Sequence, residues 1–260
     1  MVSSYFNKMM KLQYLPVATT IWFLSTFIIT YIIAVKTGSV YYLFPYISEA
    51  GALPPASCVF SQFLNLGALL LLFAMYVRYR QVEHDIKTQN IKLNSKWNSV
   101  TFKVGIAVSF GTSITANFQE SNILIVHLIG ALMALGIGSV YCILQTRISH
   151  AYVSACKRSI PKWMFYLRLL LTVPMVPVFM LIFLSGVLGM TKFTGESKMW
   201  WTEEHEGYNL RLTSTFSEWI LALIIFTYIS TFSNEIKCIE FEGVQLKIDG
   251  KDVNEYQLQD

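Results

Sequence analysis

Apolar residues in this chain gather in long, nearly uncharged blocks with polar segments between them, and no single amphipathic stripe dominates. The blocks cover residues 15–35, 58–77, 100–117, 122–144, 163–190 and 216–233. About twenty apolar residues rising ~1.5 Å each match the ~30 Å hydrocarbon layer of a bilayer. The pattern predicts an all-α polytopic membrane protein, a bundle of six transmembrane helices over residues 1–237 followed by a tail at 238–260. The first block is too long for a secretory signal and ends at Lys36 without a small-residue cleavage pattern, so it reads as a retained helix. Residues 118–121 leave room only for a tight hairpin turn. Pro174 and Pro177 predict a kink in the fifth span, because each lacks a backbone donor. In the tail, Ile239, Phe241, Val244, Leu246 and Ile248 alternate with polar residues before Asp249-Gly250, which suits either a short hairpin or a flexible acidic tail.

Composition narrows the class further. With 54% hydrophobic and 14% charged residues and a mean hydropathy of +0.47, a water-soluble globule and a disordered chain are both excluded. The net charge of +4 does not point to nucleic acid, because the cations flank the spans. Sixteen of the twenty Lys and Arg residues fall on one side of the predicted topology, among them Arg78, Arg80, Arg158 and Lys162, while the other side is acidic. Positive residues are retained in the cytosol, so both termini are expected there. The four basic residues named are candidates for contact with anionic lipid headgroups, or serve only to set topology. Cys58 alone lies on the outer side, which leaves no intrachain disulfide, and the chain has no N-glycosylation sequon. Cys156 and Cys238 are juxtamembrane thiols, open to palmitoylation or inert. The first outer loop, aromatic and rich in Pro, is expected to pack on the membrane surface, with Trp200 and Trp201 of the last loop in the interfacial belt.

Polar groups at membrane depth are costly and therefore informative. His127, with Glu120 seven residues before it, Glu218, Gln62, Asn65 and Asn117 all fall in the outer half, and Glu49 lies in the loop on that side. Together they predict a lumenal polar cluster. It reads either as a site for a lipid headgroup or small solute, or as interhelical glue. No metal site is expected, since a zinc centre needs at least three converging ligands and the spans hold no second histidine. No nucleotide or nucleophile-elbow motif is present in a suitable context, and no cofactor is predicted. Gly130, Ala134 and Gly138 form a small-residue stripe that predicts close packing of the fourth helix at the bundle centre, with homodimerisation through the same face as the alternative.

Several short motifs occur in register along nearly the whole chain. They are FPYISEAG at 44–51 followed by Pro54, YVRYRQV at 76–82, ANFQE at 116–120, His127 with Gly130-Ala131, GSVYCILQTRIS at 138–149, and Glu218-Trp219. In these the chain resembles the damage-regulated autophagy modulator family, nearest its type-two branch, within a wider superfamily of Frag-type and Sfk-type membrane proteins. The best-matched positions are Pro45, Tyr46, Ser48, Asn117, Gln119, Glu120, His127 and Glu218. Departures are Glu49 where the family usually has Asp, Leu128 where Asp commonly follows the histidine, and His150 in place of a frequent Tyr. The resemblance implies a non-enzymatic modulator of autophagy in lysosomal or late endosomal membranes, with the Golgi or plasma membrane as further locations. Its implied partners are membrane lipids and proteins of the autophagy and lysosome system.

Overall fold

A computed structural model describes residues 12–155, 160–237, 239, 247–248 and 251–252. Among these, six helical crossings are long and apolar enough to span a membrane. A 3-10 turn, Leu12–Tyr14, leads into α1, Leu15–Lys36; a short α2, Ile47–Ala50, interrupts the first connection. Helices α3, Ala56–Lys87, and α4, Ser95–Asn117, follow. The fourth crossing joins α5, Leu124–Ala131, to α6, Gly138–Val153, through a π-helical segment, Leu132–Ile137. The fifth is split into α7, Lys162–Thr172, and α8, Met175–Met190; the sixth is α9, Tyr208–Ser230, extended by α10, Ser233–Ile236. In the tail β1, Lys247–Ile248, pairs antiparallel with β2, Lys251–Asp252; Cys156, Arg158, Cys238, Asp249 and Gly250 lie outside the described residues.

The helices overrun the apolar blocks, most visibly α3, which continues to Lys87, and α9, which begins at Tyr208. Backbone hydrogen bonding does not require apolar side chains; only the part inside hydrocarbon does. Local chemistry sets the ends. Asn94 caps α4 by accepting from the Lys96 N–H at 2.9 Å. Pro174 separates α7 from α8, whereas Pro177 sits in the first turn of α8, where a missing donor costs nothing. Gly207 opens α9 at φ +76°, and a Cβ there would lie 2.8 Å from the Gly189 carbonyl oxygen, so this close left-handed turn requires glycine.

Helix α1 packs between α3 and α9, α3 also lies against α4, α4 contacts the fourth crossing, and α8 runs along α9. The Leu12–Tyr14 turn meets α10, so both ends of the bundle emerge on one face, here the termini side. Cross-helix hydrogen bonds reinforce the apolar packing: Thr20 Oγ1 donates to the Phe226 carbonyl at 2.9 Å and Trp22 Nε1 to that of Phe63 at 2.8 Å. A Cβ on Gly111 would lie 2.2 Å from that of Met133, and one on Gly130 2.8 Å from the Thr115 nitrogen. Close approach of α4 therefore covers Gly130 within the chain.

The outer loops depart from expectation. The first is seated partly within the bundle: Val40, Ile47, Ala50 and Ala52 are buried and α2 tucks between the helices, while Tyr42, Phe44 and Leu53 stay exposed. Burying these apolar groups between helices removes more of their surface than contact with headgroups would. Trp201 is likewise buried, its ring tilted against Phe193 with centroids 4.4 Å apart, and of the two tryptophans only Trp200 is exposed.

Candidate functional site

On the face opposite the termini, three glutamates from different segments hold one short stretch of backbone. Tyr46 N–H donates to Glu49 Oε2 at 3.0 Å, Ile47 N–H to Glu218 Oε2 at 2.8 Å, and Ser48 Oγ to Glu120 Oε2 at 2.8 Å. The first two donors belong to the N-terminus of α2, whose orphan N–H groups favour anionic acceptors. Glu49 also takes Arg211 Nη2 at 2.5 Å in a pair buried on both sides, and Trp219 Nε1 donates to the Pro45 carbonyl at 3.0 Å. Arg211 Nε and Nη1 find no acceptor among the described residues. Burial pushes the Glu49 carboxyl above its usual range, to about 8; Arg211 opposes the rise and Glu120 adds to it.

Beneath this clamp lies a cavity of about 80 Å³ at the bundle centre. Ser48, His127 and Glu218 line one end, and Tyr141, Cys142 and Ile229 the other, with aromatic and aliphatic side chains between. His127 Nδ1 is 2.8 Å from the Phe118 carbonyl oxygen. A carbonyl only accepts, so Nδ1 carries the hydrogen and a neutral ring offers Nε2 as an acceptor. Neither that nitrogen nor Glu218 Oε1 has a hydrogen-bond partner among the described residues. Ala131, Ala134, Leu135 and Gly138, on or beside the π-helical segment, contribute to the wall. Nothing in the apolar pattern announced that segment, and its extra residue per turn lies where the cavity is widened by small side chains.

The structure thus unites Glu49, Glu120 and Glu218 and sets His127 on the cavity wall. Glu120 belongs to the connection before α5 and not to its helical face, as the seven-residue spacing suggested. Gln62 is exposed and takes no part. Asn65 and Asn117 form a separate α3–α4 link, with Asn65 Nδ2 donating to Asn117 Oδ1 at 3.0 Å and Ser113 Oγ to Asn65 Oδ1 at 2.7 Å. Gln119 accepts from Asn122 within the same connection, at 2.7 Å. Arg211 was missed as a member. Its signal was a lone cation just ahead of a span on the acidic side, where a partner is needed.

A second correction falls on the termini side. Arg78 is fully buried and does not face lipid headgroups. Its Nη1 donates to Glu235 Oε2 at 2.5 Å and to Gln81 Oε1 at 2.9 Å, and its Nε to Gln145 Oε1 at 3.3 Å. Arg168, also fully buried, pairs with Glu235 Oε1 and donates to Ser149 Oγ at 2.8 Å and Thr231 Oγ1 at 2.9 Å. The Phe232 ring lies 5.0 Å from one guanidinium and 4.9 Å from the other. A guanidinium at this depth lowers its free energy by sharing a carboxylate, which a water-facing position would not require. Arg80 and Lys162 are exposed, Arg80 beside Glu83 at 3.2 Å. Among the described residues no three His, Cys, Asp or Glu side chains gather to hold a metal ion.

Residues 11–239 match the family described as Frag1/DRAM/Sfk1/Cwh43P N-terminal domain. The chain is 34% identical over 241 residues to DNA damage-regulated autophagy modulator protein 2 of Mus musculus, covering 92% of this chain and 86% of that protein. It is 31% identical over 242 residues to DNA damage-regulated autophagy modulator protein 1 of Homo sapiens, covering 91% and 94%. A shorter match, 41% over 138 residues, joins it to Modulator of macroautophagy TMEM150B-B of Xenopus laevis, covering 52% and 57%. No solved structure matches the chain.

Proposed function

The chain belongs to the Frag1/DRAM/Sfk1/Cwh43P family, and from that premise we propose that it is a multipass modulator of autophagy, acting without catalysis in lysosomal or late endosomal membranes. The observation that carries this reading is the near full-length likeness to relatives named as autophagy modulators. Both termini face the cytosol and the glutamate clamp faces the lumen, in keeping with the concentration of Lys and Arg on the termini side. On that side Arg80 and Lys162 meet anionic headgroups, at about 1 kcal/mol for each cation near the surface. The test is autophagic flux in cells lacking the gene, with lysosomal turnover of an autophagosome marker as readout. Flux falls and is restored by the full chain; unchanged flux overturns the proposal.

A further inference from the structure

We propose that the lipid-facing groove between α3 and α4 binds one anionic phospholipid of the termini-side leaflet, its phosphate held between Arg80 and Lys103 and one acyl chain lying along α3 from Tyr76 to Leu69. Such a site rests on the contact of Arg80 with anionic headgroups and gives that contact a defined seat.

The groove follows from spacing. Leu69, Leu72, Phe73 and Tyr76 recur at three- and four-residue intervals and so share one face of α3, as Phe102 and Ile106 do on α4. Together they line an open groove of about 360 Å³, inside the roughly 300–1,000 Å³ range of small-molecule sites. Phe102 stacks on Tyr79 with centroids 4.7 Å apart and lies 5.9 Å from the Tyr76 ring, which ties the two walls together at this end. Leu69, Tyr76 and Ile106 stay exposed on the outside of the bundle, where hydrocarbon is the solvent.

The headgroup follows from two cations at the same end. Arg80 Nη1 donates to the Tyr76 hydroxyl at 3.0 Å, and its guanidinium stands 5.9 Å from that ring, so it is held at the mouth of the groove. Its Nε meets Glu83 at 3.2 Å, which leaves Nη2 without a partner among the described residues. Lys103 adjoins Phe102 and lies one turn from Ile106. It is exposed inside the apolar block 100–117 and has no ion pair among the described residues. An unpaired ammonium at membrane depth is costly, and its stem snorkels toward the interface to find an anion. A phosphate between Lys103 and Arg80 supplies one through charge-assisted hydrogen bonds. Glu83 is already shared by Arg80 and Lys87, so three cations face one carboxylate and a net negative head is favoured over a zwitterionic one.

Depth agrees with length. From Leu69 to Arg80 the face runs eleven residues, roughly 16 Å at 1.5 Å per residue. That is about half of the ~30 Å hydrocarbon layer, so a chain tip at Leu69 and a phosphate at Arg80 span one leaflet. A sterol would cover the apolar wall and leave both cations without an anion.

The experiment uses the full chain in phosphatidylcholine nanodiscs with three photoreactive probes: phosphatidylserine and phosphatidylcholine, each with a diazirine midway along one acyl chain, and a diazirine cholesterol. Crosslinked sites are mapped by mass spectrometry. The phosphatidylserine probe is expected to label peptides around residues 69–76 and 102–106, and unlabelled phosphatidylserine competes where phosphatidylcholine does not. Arg80→Ala and Lys103→Ala each lower this labelling about fivefold, the value of one cation near the surface. Ile106→Trp, which fills the groove, lowers it with both cations in place. Lys162→Ala, an exposed cation on α7, leaves it unchanged. All four positions are exposed, and thermal unfolding of each variant confirms that the fold persists. Equal labelling of the groove by phosphatidylcholine or cholesterol overturns the anionic assignment. Labelling that ignores Ile106→Trp and falls equally with Lys162→Ala overturns the groove and leaves diffuse headgroup contact standing. Labelling indifferent to every charge variant overturns both.

Discussion

The two ends of the bundle each bury charge, but they resolve it differently. On the termini side one carboxylate, Glu235, is shared by Arg78 and Arg168, with Gln81, Gln145, Ser149 and Thr231 taking further donors. On the opposite side three carboxylates gather around α2 with one guanidinium, which pairs with Glu49 alone, and two acceptor atoms look into a cavity without partners. The first arrangement ties α3, α6, α7 and α10 together; the second ties down a single short helix and keeps acceptors in reserve. Buried charge paired with opposite charge across several helices acts as a lock, whereas buried charge left partly unmatched beside empty space is suited to a ligand.

The sharpest way to break this contrast is to remove the shared carboxylate. Glu235→Gln leaves two buried guanidiniums short of a counter-charge, and about 3–5 kcal/mol of stability should be lost. The expected outcome is a large drop in melting temperature and in monodisperse protein after extraction; a wild-type melt would show that the network is not a lock. Opposite, Glu218→Ala orphans the buried Ile47 N–H and should cost about 1–3 kcal/mol, while Glu218→Gln, which keeps an acceptor, should cost well under that. Equal effects of the two substitutions would mean that the charge, and not the hydrogen bond, holds α2.

A further test uses pH. The native Glu49 carboxyl is raised from an ordinary 4.5 to about 8, so the folded state binds its proton more tightly than the unfolded chain does. The resulting stabilisation is complete below about 4.5 and is lost as pH rises through 8. Melting temperature should therefore fall between pH 5 and 8, and Glu49→Gln should flatten the slope; an equal slope in the variant would assign it to other groups. Smallest of all is Arg80→Ala. Its pair with Glu83 is exposed, and a change within about 0.5 kcal/mol is expected in the same melts.

The sequence alone determined the number of crossings and the break at Pro174, because partition into hydrocarbon depends on the summed hydrophobicity of a local segment and a proline acts on its own helix. It also singled out Glu49, Glu120, His127 and Glu218 as polar groups at one membrane level, since depth follows from position along a span. What it left open was which polar groups meet. Arg78 read as a surface cation and proved to be buried on Glu235, 157 residues away; Gln62 read as a cluster member and points outward; Arg211 read as loop charge and pairs with Glu49, 162 residues before it. Those outcomes depend on the rotation of each helix about its axis and on the seating of α2 inside the bundle. Rotation is weakly encoded in helices apolar on nearly every face, where lipid and core present similar surroundings. The cavity belongs to the same class of fact, for it exists only where the π-helical segment, Ala134 and Gly138 come to face α1, α3 and α9, a convergence that tertiary packing alone decides.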